Sequence, residues 1–319
     1  MRLYDRFLEA LTGRFTRKSD LVNALADILP LEKDNIYRRL RRDVLFTTEE
    51  IMRIAGAWNI SIDNLIWSHS GKSRALRFNM IEYVDPREED YMLLEEYNRV
   101  LAAVGNDPSG RATEVTGSLP RSLYARSELL TRFFTMKWRY KYGRYEDVLS
   151  LGEVRISERM KRLEAEYVEL VHNIPRVCKL HDSRFVERLV DEILYFHSVG
   201  MVTGTEVVLL RDELLALVDY MEEIAAKGRF ADTGNEMAFY VSPLQLETEC
   251  LLYGSRDMTL SMVKILERNA ISSYDSKVFA RFTNMVQSIT RSSALMSASN
   301  SLQRTGFFTR QRATISSMI

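Results

Sequence analysis

Ser19-Asp-Leu-Val-Asn-Ala-Leu-Ala-Asp-Ile-Leu-Pro-Leu-Glu-Lys-Asp-Asn-Ile-Tyr-Arg-Arg-Leu-Arg-Arg42 is the stretch on which the fold reading turns. Leu21, Leu25, Ile28 and Leu29 share one helical face, which predicts an amphipathic helix. Pro30 lacks an amide hydrogen and fixes its φ, so it ends that helix. A second short helix, about residues 32–42, resumes with Ile36 and Leu40 pointing inward. A rotation of about 100° per residue then puts Arg38 on the opposite side, with Asp34, Arg41 and Arg42 near it and Asn35 and Tyr37 flanking the stripe. Two short helices meet at a tight break, and the outer side of the second is cationic.

Working outward, Thr47-Thr-Glu-Glu50 has capping-box spacing and starts a third helix with Ile51, Ile54 and Ala55 on its buried face. Asn59 is expected in a left-handed C-terminal position and Ser61 as the cap of one more turn. A leading helix over residues 3–15 completes a compact bundle.

These residues resemble the helix-turn-helix domains of the lambda repressor/Cro, or xenobiotic-response-element, type. The resemblance covers about residues 5–66. It rests on Leu25-Ala26-x-x-Leu29-x-Leu31, on Ile36, and on Ile54-Ala-Gly-Ala-Trp-Asn-Ile-Ser-Ile-Asp-Asn-Leu65. The whole chain is also similar to a group of bacterial regulators with a helical C-terminal domain, through Ile36-Tyr-Arg-Arg-Leu-Arg41 and Phe307-Phe-Thr-Arg-Gln-Arg312. The resemblance implies a sequence-specific, DNA-binding transcription regulator. Three positions depart from the pattern: Val22 stands where many relatives carry a DNA-contacting glutamine, Pro30 stands at the usual turn glycine, and the first motif helix starts about one turn early.

The chemistry of the stripe points the same way. Arg reads guanine O6/N7 and Asn reads adenine N6/N7 from the major groove. Asn35, Tyr37 and Arg38 are therefore the expected base-edge residues, and Arg39, Arg41 and Arg42 the expected phosphate contacts. Arg17 and Lys18 are expected to supply the phosphate contacts of the first motif helix. Asp34 has two readings, acceptor for cytosine N4 or stabiliser of its own first helical turn. The alternative for the head is a protein-interaction module on the same scaffold, which calls for an apolar stripe.

Composition limits the rest of the chain. The 319 residues are 46% hydrophobic and 28% charged, values of a globular protein, and the length suits two domains. Residues 1–77 hold 14 Lys/Arg against 10 Asp/Glu, residues 78–275 hold 24 against 34, and residues 276–319 hold six against none. A basic head and a basic tail thus flank an acidic body, a distribution that lets the ends approach a polyanion. Apolar runs are broken by charges well short of the ~20 residues of a membrane span. Asp5 and Glu9 interrupt any signal-peptide pattern, and two cysteines build no disulfide framework, so a cytoplasmic location is expected.

The polar run Ser68-His-Ser-Gly-Lys-Ser-Arg74 reads as a boundary. The expected division is a DNA-binding domain over residues 1–70, a linker over 71–77, and a helical effector or dimerisation domain over 78–319. Within that body, residues 76–84 alternate like a strand. Helical patterns cover about 86–104, 121–142, 157–173, 183–198 and 205–226, with Thr205 as N-cap of the last. Residues 238–241, 244–253 and 258–265 read as strands, the last two as a hairpin, and a final helical region runs from about 277. The fold class expected is mainly α: a helix-turn-helix bundle followed by a larger, mostly helical α+β domain with a small antiparallel sheet.

No catalytic constellation is found. His172-x5-Cys178-x2-His181 carries metal-binding residue types, but Pro175 breaks the helical phase and no fourth ligand has the right spacing. Arg132-Phe-Phe-Thr-Met-Lys-Trp-Arg-Tyr-Lys-Tyr-Gly-Arg-Tyr145 mixes basic and aromatic residues and reads best as a core helix whose cations extend to water. The reading therefore assigns no enzyme activity, metal or cofactor. Its partners are double-stranded DNA, a second copy of the chain, and an effector of unspecified chemistry.

Overall fold

The computed structural model describes residues 3–12, 15, 17–58, 60, 62, 77–83, 85–143, 149–298 and 300–318, and the chain divides into two units, Met1–Leu76 and Arg77–Ile319. Asn59, Ser61, residues 68–74 and all of the 71–77 linker except Arg77 lie outside the described residues.

In the first unit, leucine and isoleucine spacing sets the packing. Helices α1 (Leu3–Thr12), α2 (Lys18–Ile28), α3 (Lys33–Leu40) and α4 (Thr48–Ala57) bury Phe7, Leu11, Leu21, Leu25, Ile36 and Ile54 in one core. Leu29 is extended (φ −106°, ψ 139°), as a residue before proline prefers, and the chain turns there into α3. Thr47 caps α4: its hydroxyl accepts from the Glu50 amide while the Glu50 carboxylate accepts from the Thr47 amide.

The second unit is built on a mixed sheet. Its strands are β1 (Arg77–Asn79), β2 (Arg111–Thr116), β3 (Arg176–Asp182), β4 (Glu236–Ser242), β5 (Cys250–Gly254), β6 (Thr259–Ile265), β7 (Asn269–Ser273) and β8 (Ala294–Leu295), in the order β1-β7-β6-β5-β2-β3-β4-β8. β2, β3 and β4 are parallel, and every other pairing is antiparallel. The helices are α5 (Glu88–Gly105), α6 (Arg121–Tyr124), α7 (Glu128–Tyr142), α8 (Glu158–Asn173), α9 (Phe185–Ser198), α10 (Gly204–Lys227), α11 (Ser276–Thr290) and α12 (Ser301–Ser316). Chain segments containing α6–α8 and α9–α10 make the two crossovers that parallel strands require.

This corrects the expected fold class. The body is an α/β unit with an eight-stranded mixed sheet, and the expected antiparallel hairpin, β5-β6, is only part of one side of it. Its main core joins Ala112, Val177, Met237 and Phe239 of the sheet to Val168 of α8, Ile193 of α9 and Leu214 of α10. On the other face Val115, Leu180, Cys250 and Leu252 pack under Phe279 and Val286 of α11. A Cβ on Gly254 would come within 2.6 Å of the Phe279 ring, so glycine is what lets α11 lie that close. Thr203, not Thr205, caps α10, in a box with Glu206, and Gly228 ends that helix in the left-handed conformation. The basic C-terminal segment is part of the fold: Phe307 and Phe308 of α12 are in the core, and Arg312 pairs with Asp219 and Glu222 of α10.

Candidate nucleic-acid interface

Helix α3 is held so that one side is committed to the head's core and the other is open. Ile36 is fully buried, Leu40 and Tyr37 pack beside it, and Lys33, Asp34 and Arg38 are exposed. Asn35 is half-buried at the edge of the stripe. The Arg38 side chain has no partner among the described residues. At the end of α3 the Asp43 amide donates to the Arg38 carbonyl at 2.9 Å and the Arg42 amide to that of Arg39 at 3.0 Å, a Schellman arrangement. Arg42 takes the left-handed position (φ 70°) where glycine is the usual residue.

The expected DNA-contacting residues fall into two groups. Arg38 is exposed, while Arg41 and Arg42 are 58% and 56% exposed and pair with the exposed Asp43 at 3.2 Å and the half-buried Asp5 at 3.1 Å. Such exposed pairs are worth about 0–1 kcal/mol and exchange readily for phosphate. Arg17 and Lys18 are exposed at the start of α2, with Lys18 Nζ 5.9 Å from the centre of the Tyr37 ring. The first turn of α2 and the open side of α3 are linked through that contact. Val22 is buried, so α2 presents no side chain to DNA at that position.

Arg39 belongs to the other group. Its guanidinium donates to both Glu50 oxygens at 2.8 Å, and both side chains are only 13% exposed. It ties α3 to the capped start of α4 rather than offering a charge to phosphate. Burial pushes the Glu50 carboxyl up, but hydrogen bonds from Arg39 and Thr47 outweigh it, leaving Glu50 below its ordinary value of 4.5. Arg39→Ala is expected to destabilise the head by about 2 kcal/mol at pH 7, because the Glu50 charge loses its partner. The depressed Glu50 contributes its stability above about pH 4.5 and loses it as pH falls through the lowered value. The penalty of Arg39→Ala should therefore shrink on acidification; urea unfolding of parent and variant at pH 7 and pH 4 checks this, and equal midpoints at pH 7 would dismiss the clamp.

Elsewhere the structure ties up what looked reactive. In α7, Phe133, Phe134, Met136 and Trp138 are buried, Lys137 pairs with Glu192 and Glu267, and Arg132 donates to the Leu151 carbonyl, which makes the basic-aromatic segment a core helix through Tyr142. Tyr145 is outside the described residues. Cys178 and His181 point to opposite faces of β3, and His172 Nδ1 lies 2.7 Å from Asp232 Oδ2. Burial presses the His181 imidazole down to about 3, and it packs between Phe185 and Phe239. No group of three or more metal-binding side chains is found among the described residues, nor any helix long and apolar enough to cross a membrane.

No family model, curated protein or solved structure matches this chain.

Proposed function

We propose that the head binds duplex DNA with α3 in the major groove and that the chain is a cytoplasmic transcription regulator. The observation that supports this best is the open stripe of α3. Arg38 and Arg41 stand there opposite the buried Ile36, and Arg42, Arg17 and Lys18 lie around them. An α-helix with cationic and hydrogen-bonding groups on its outer side fits the width of the groove, whereas a protein-binding groove would want an apolar stripe. Selection of bound sequences from a random duplex pool tests the proposal. Enrichment of a defined motif supports it, and no enrichment at low salt refutes it.

Position on the stripe sets the expected effect of substitution. Arg38→Ala is expected to cost about 1–3 kcal/mol at the preferred site and to relax sequence preference there. Arg42→Gly should weaken all sequences alike and flatten the salt slope by about one phosphate. It should also raise the head's stability by up to about 1 kcal/mol, because glycine occupies the left-handed position without steric cost. Binding isotherms on preferred and scrambled duplexes separate the two; the same loss of preference from both variants would mean that α3 lies differently in the groove.

One short recognition helix reads few base pairs, and paired heads on half-sites about 34–36 Å apart raise specificity. We therefore propose that the chain acts as a dimer through its second unit. Light scattering at micromolar concentration should give twice the 37.0 kDa chain mass. A monomer that still binds an isolated half-site refutes the dimer and leaves DNA binding standing.

A further inference from the structure

A cavity of about 480 Å³ opens in the second unit where β2 has a parallel neighbour, β3, on one side and an antiparallel one, β5, on the other. Gly117, Ser118 and Leu119 put it beyond the carboxyl end of β2, the end at which α/β sheets hold ligands, and this volume lies in the range of small-molecule sites. The wall is largely apolar and aromatic, with Tyr83, Tyr124, Phe134, Tyr167 and Tyr253 contributing rings.

The charges in this wall do not cancel at one point. Glu164, 1% exposed, accepts from Arg121 Nε and from Arg268 Nη2 at 3.3 Å, so two guanidinium groups share one carboxylate. The other acids are engaged elsewhere: Glu114 with Lys179, Glu249 with Lys264, Glu192 with Lys137, and Glu267 with Lys137 and Lys141. Arg188 pairs with Asp182, so the positive excess is local: two guanidinium groups face the one Glu164 carboxylate, and the acid that balances them over the whole wall, Glu247, is out at the exposed rim.

The unpaired donors gather in the same wall. Arg121 sits over the Tyr167 ring, with its guanidinium carbon 4.4 Å from the ring centre, and spends only Nε on Glu164. Its two terminal amino groups have no partner among the described residues, and its side chain keeps 20% exposure at the cavity wall. The Tyr124 hydroxyl, on a ring stacked 4.1 Å from Phe134, also has no partner among the described residues. Burial raises this phenol to about 12, so it is a neutral donor at physiological pH. Arg268 spends both terminal amino groups, on Thr135 and Glu164, beneath the Tyr83 ring, and only its buried Nε has no partner among the described residues.

We propose that this cavity is a ligand site for a small organic monocarboxylate with an apolar or aromatic body, whose carboxylate is received by the terminal amino groups of Arg121 and by the Tyr124 hydroxyl. A paired guanidinium face matches a planar carboxylate, a single negative charge balances the local positive excess, and the tyrosine and phenylalanine rings take the body. The assignment is independent of DNA binding.

Calorimetric titration of the full chain with phenylacetate, 4-phenylbutyrate and indole-3-acetate, each beside its neutral amide, tests it. At least one acid is expected to bind, with its amide roughly 10- to 100-fold weaker, the cost of losing a charge-assisted pair. Arg121→Gln should weaken the acid by a similar factor and leave the amide unchanged. Arg268 remains to neutralise Glu164 in that variant. Should Arg121→Gln fail to fold, Tyr124→Phe keeps the ring stack and should lower affinity for the acid about 3- to 10-fold. The proposal is overturned if no acid binds at millimolar concentration, if acids and amides bind alike, or if folded variants bind the acid as the parent does.

Discussion

Binding of the full chain to duplex DNA is expected to collapse as salt is raised. On the proposed reading, five cations among the described residues are placed to meet phosphate: Arg38, Arg41 and Arg42 on and beside the open stripe of α3, and Arg17 and Lys18 at the start of α2. Arg39 is left out because Glu50 already neutralises it. At about −0.9 per phosphate, one head gives a slope of log K against log[salt] near −4.5 and two heads near −9. Between 50 and 200 mM salt that is a loss of roughly 500-fold for one head and on the order of 10⁵-fold for two. Fluorescence anisotropy on a labelled genomic fragment reads the slope directly. A slope shallower than about −2 would mean that the stripe does not face the phosphates, and the rival reading of the head as a protein-interaction module would take its place.

That result would also test how much of the head was legible in its sequence. Period and punctuation carried it: Leu21, Leu25 and Ile36 are in the core, Pro30 follows the end of α2, and Thr47 and Glu50 form the capping box their spacing announced. Arg39 shows where a run of like residues misleads. In Tyr37-Arg-Arg-Leu-Arg-Arg42 it looks like its neighbours, yet at about 100° per residue it lies some 60° from Ile36, on the inward flank. The angle was available in the sequence; the partner, Glu50 on the next helix, was not.

In the body the misreading has a different cause. The β5-β6 hairpin was legible because its alternation is apolar. Of the parallel strands only β4 was read, at residues 238–241; β2 and β3 were not, because β2 buries Glu114 and Thr116 and β3 buries Lys179 and His181 on faces where a strand reading expects hydrocarbon. Read singly, each strand looks too polar to be central. Glu114 and Lys179 are register partners across β2 and β3, so each cancels the other's defect. The ligand cavity escaped for a related reason, since Arg121, Glu164 and Arg268 are brought together only by the fold.

The Glu114–Lys179 pair also carries the largest stability effect expected in the body. Lys179 Nζ lies 2.5 Å from Glu114 Oε2 and 2.6 Å from Ser122 Oγ, and Ser122 donates to the same carboxylate oxygen at 2.6 Å. Burial pushes the Glu114 carboxyl up, but Lys179 and Lys264 outweigh it and hold Glu114 below its ordinary value. Lys179→Met removes the close cation and strands a carboxylate inside the sheet. The expected cost is about 3–5 kcal/mol at pH 7, which for a unit of this size lowers the melting temperature by roughly 6–20 °C. The sign of its pH dependence is specific. Without Lys179 the Glu114 pKa should rise above its unfolded value, so the folded variant binds the extra proton, and its deficit against the parent is smallest at acid pH, below the parent's lowered Glu114 value, and grows as pH rises towards the variant's raised one. Adding Glu114→Leu to Lys179→Met should recover most of the loss at pH 7 and remove that pH dependence, since a buried ion pair replaced by hydrocarbon of similar volume is close to neutral in stability. Scanning calorimetry of the full chain at pH 5 and pH 7 compares all three proteins. A single variant within about 1 kcal/mol of the parent at pH 7, or a double variant no better than the single, would show that the sheet does not depend on this pair.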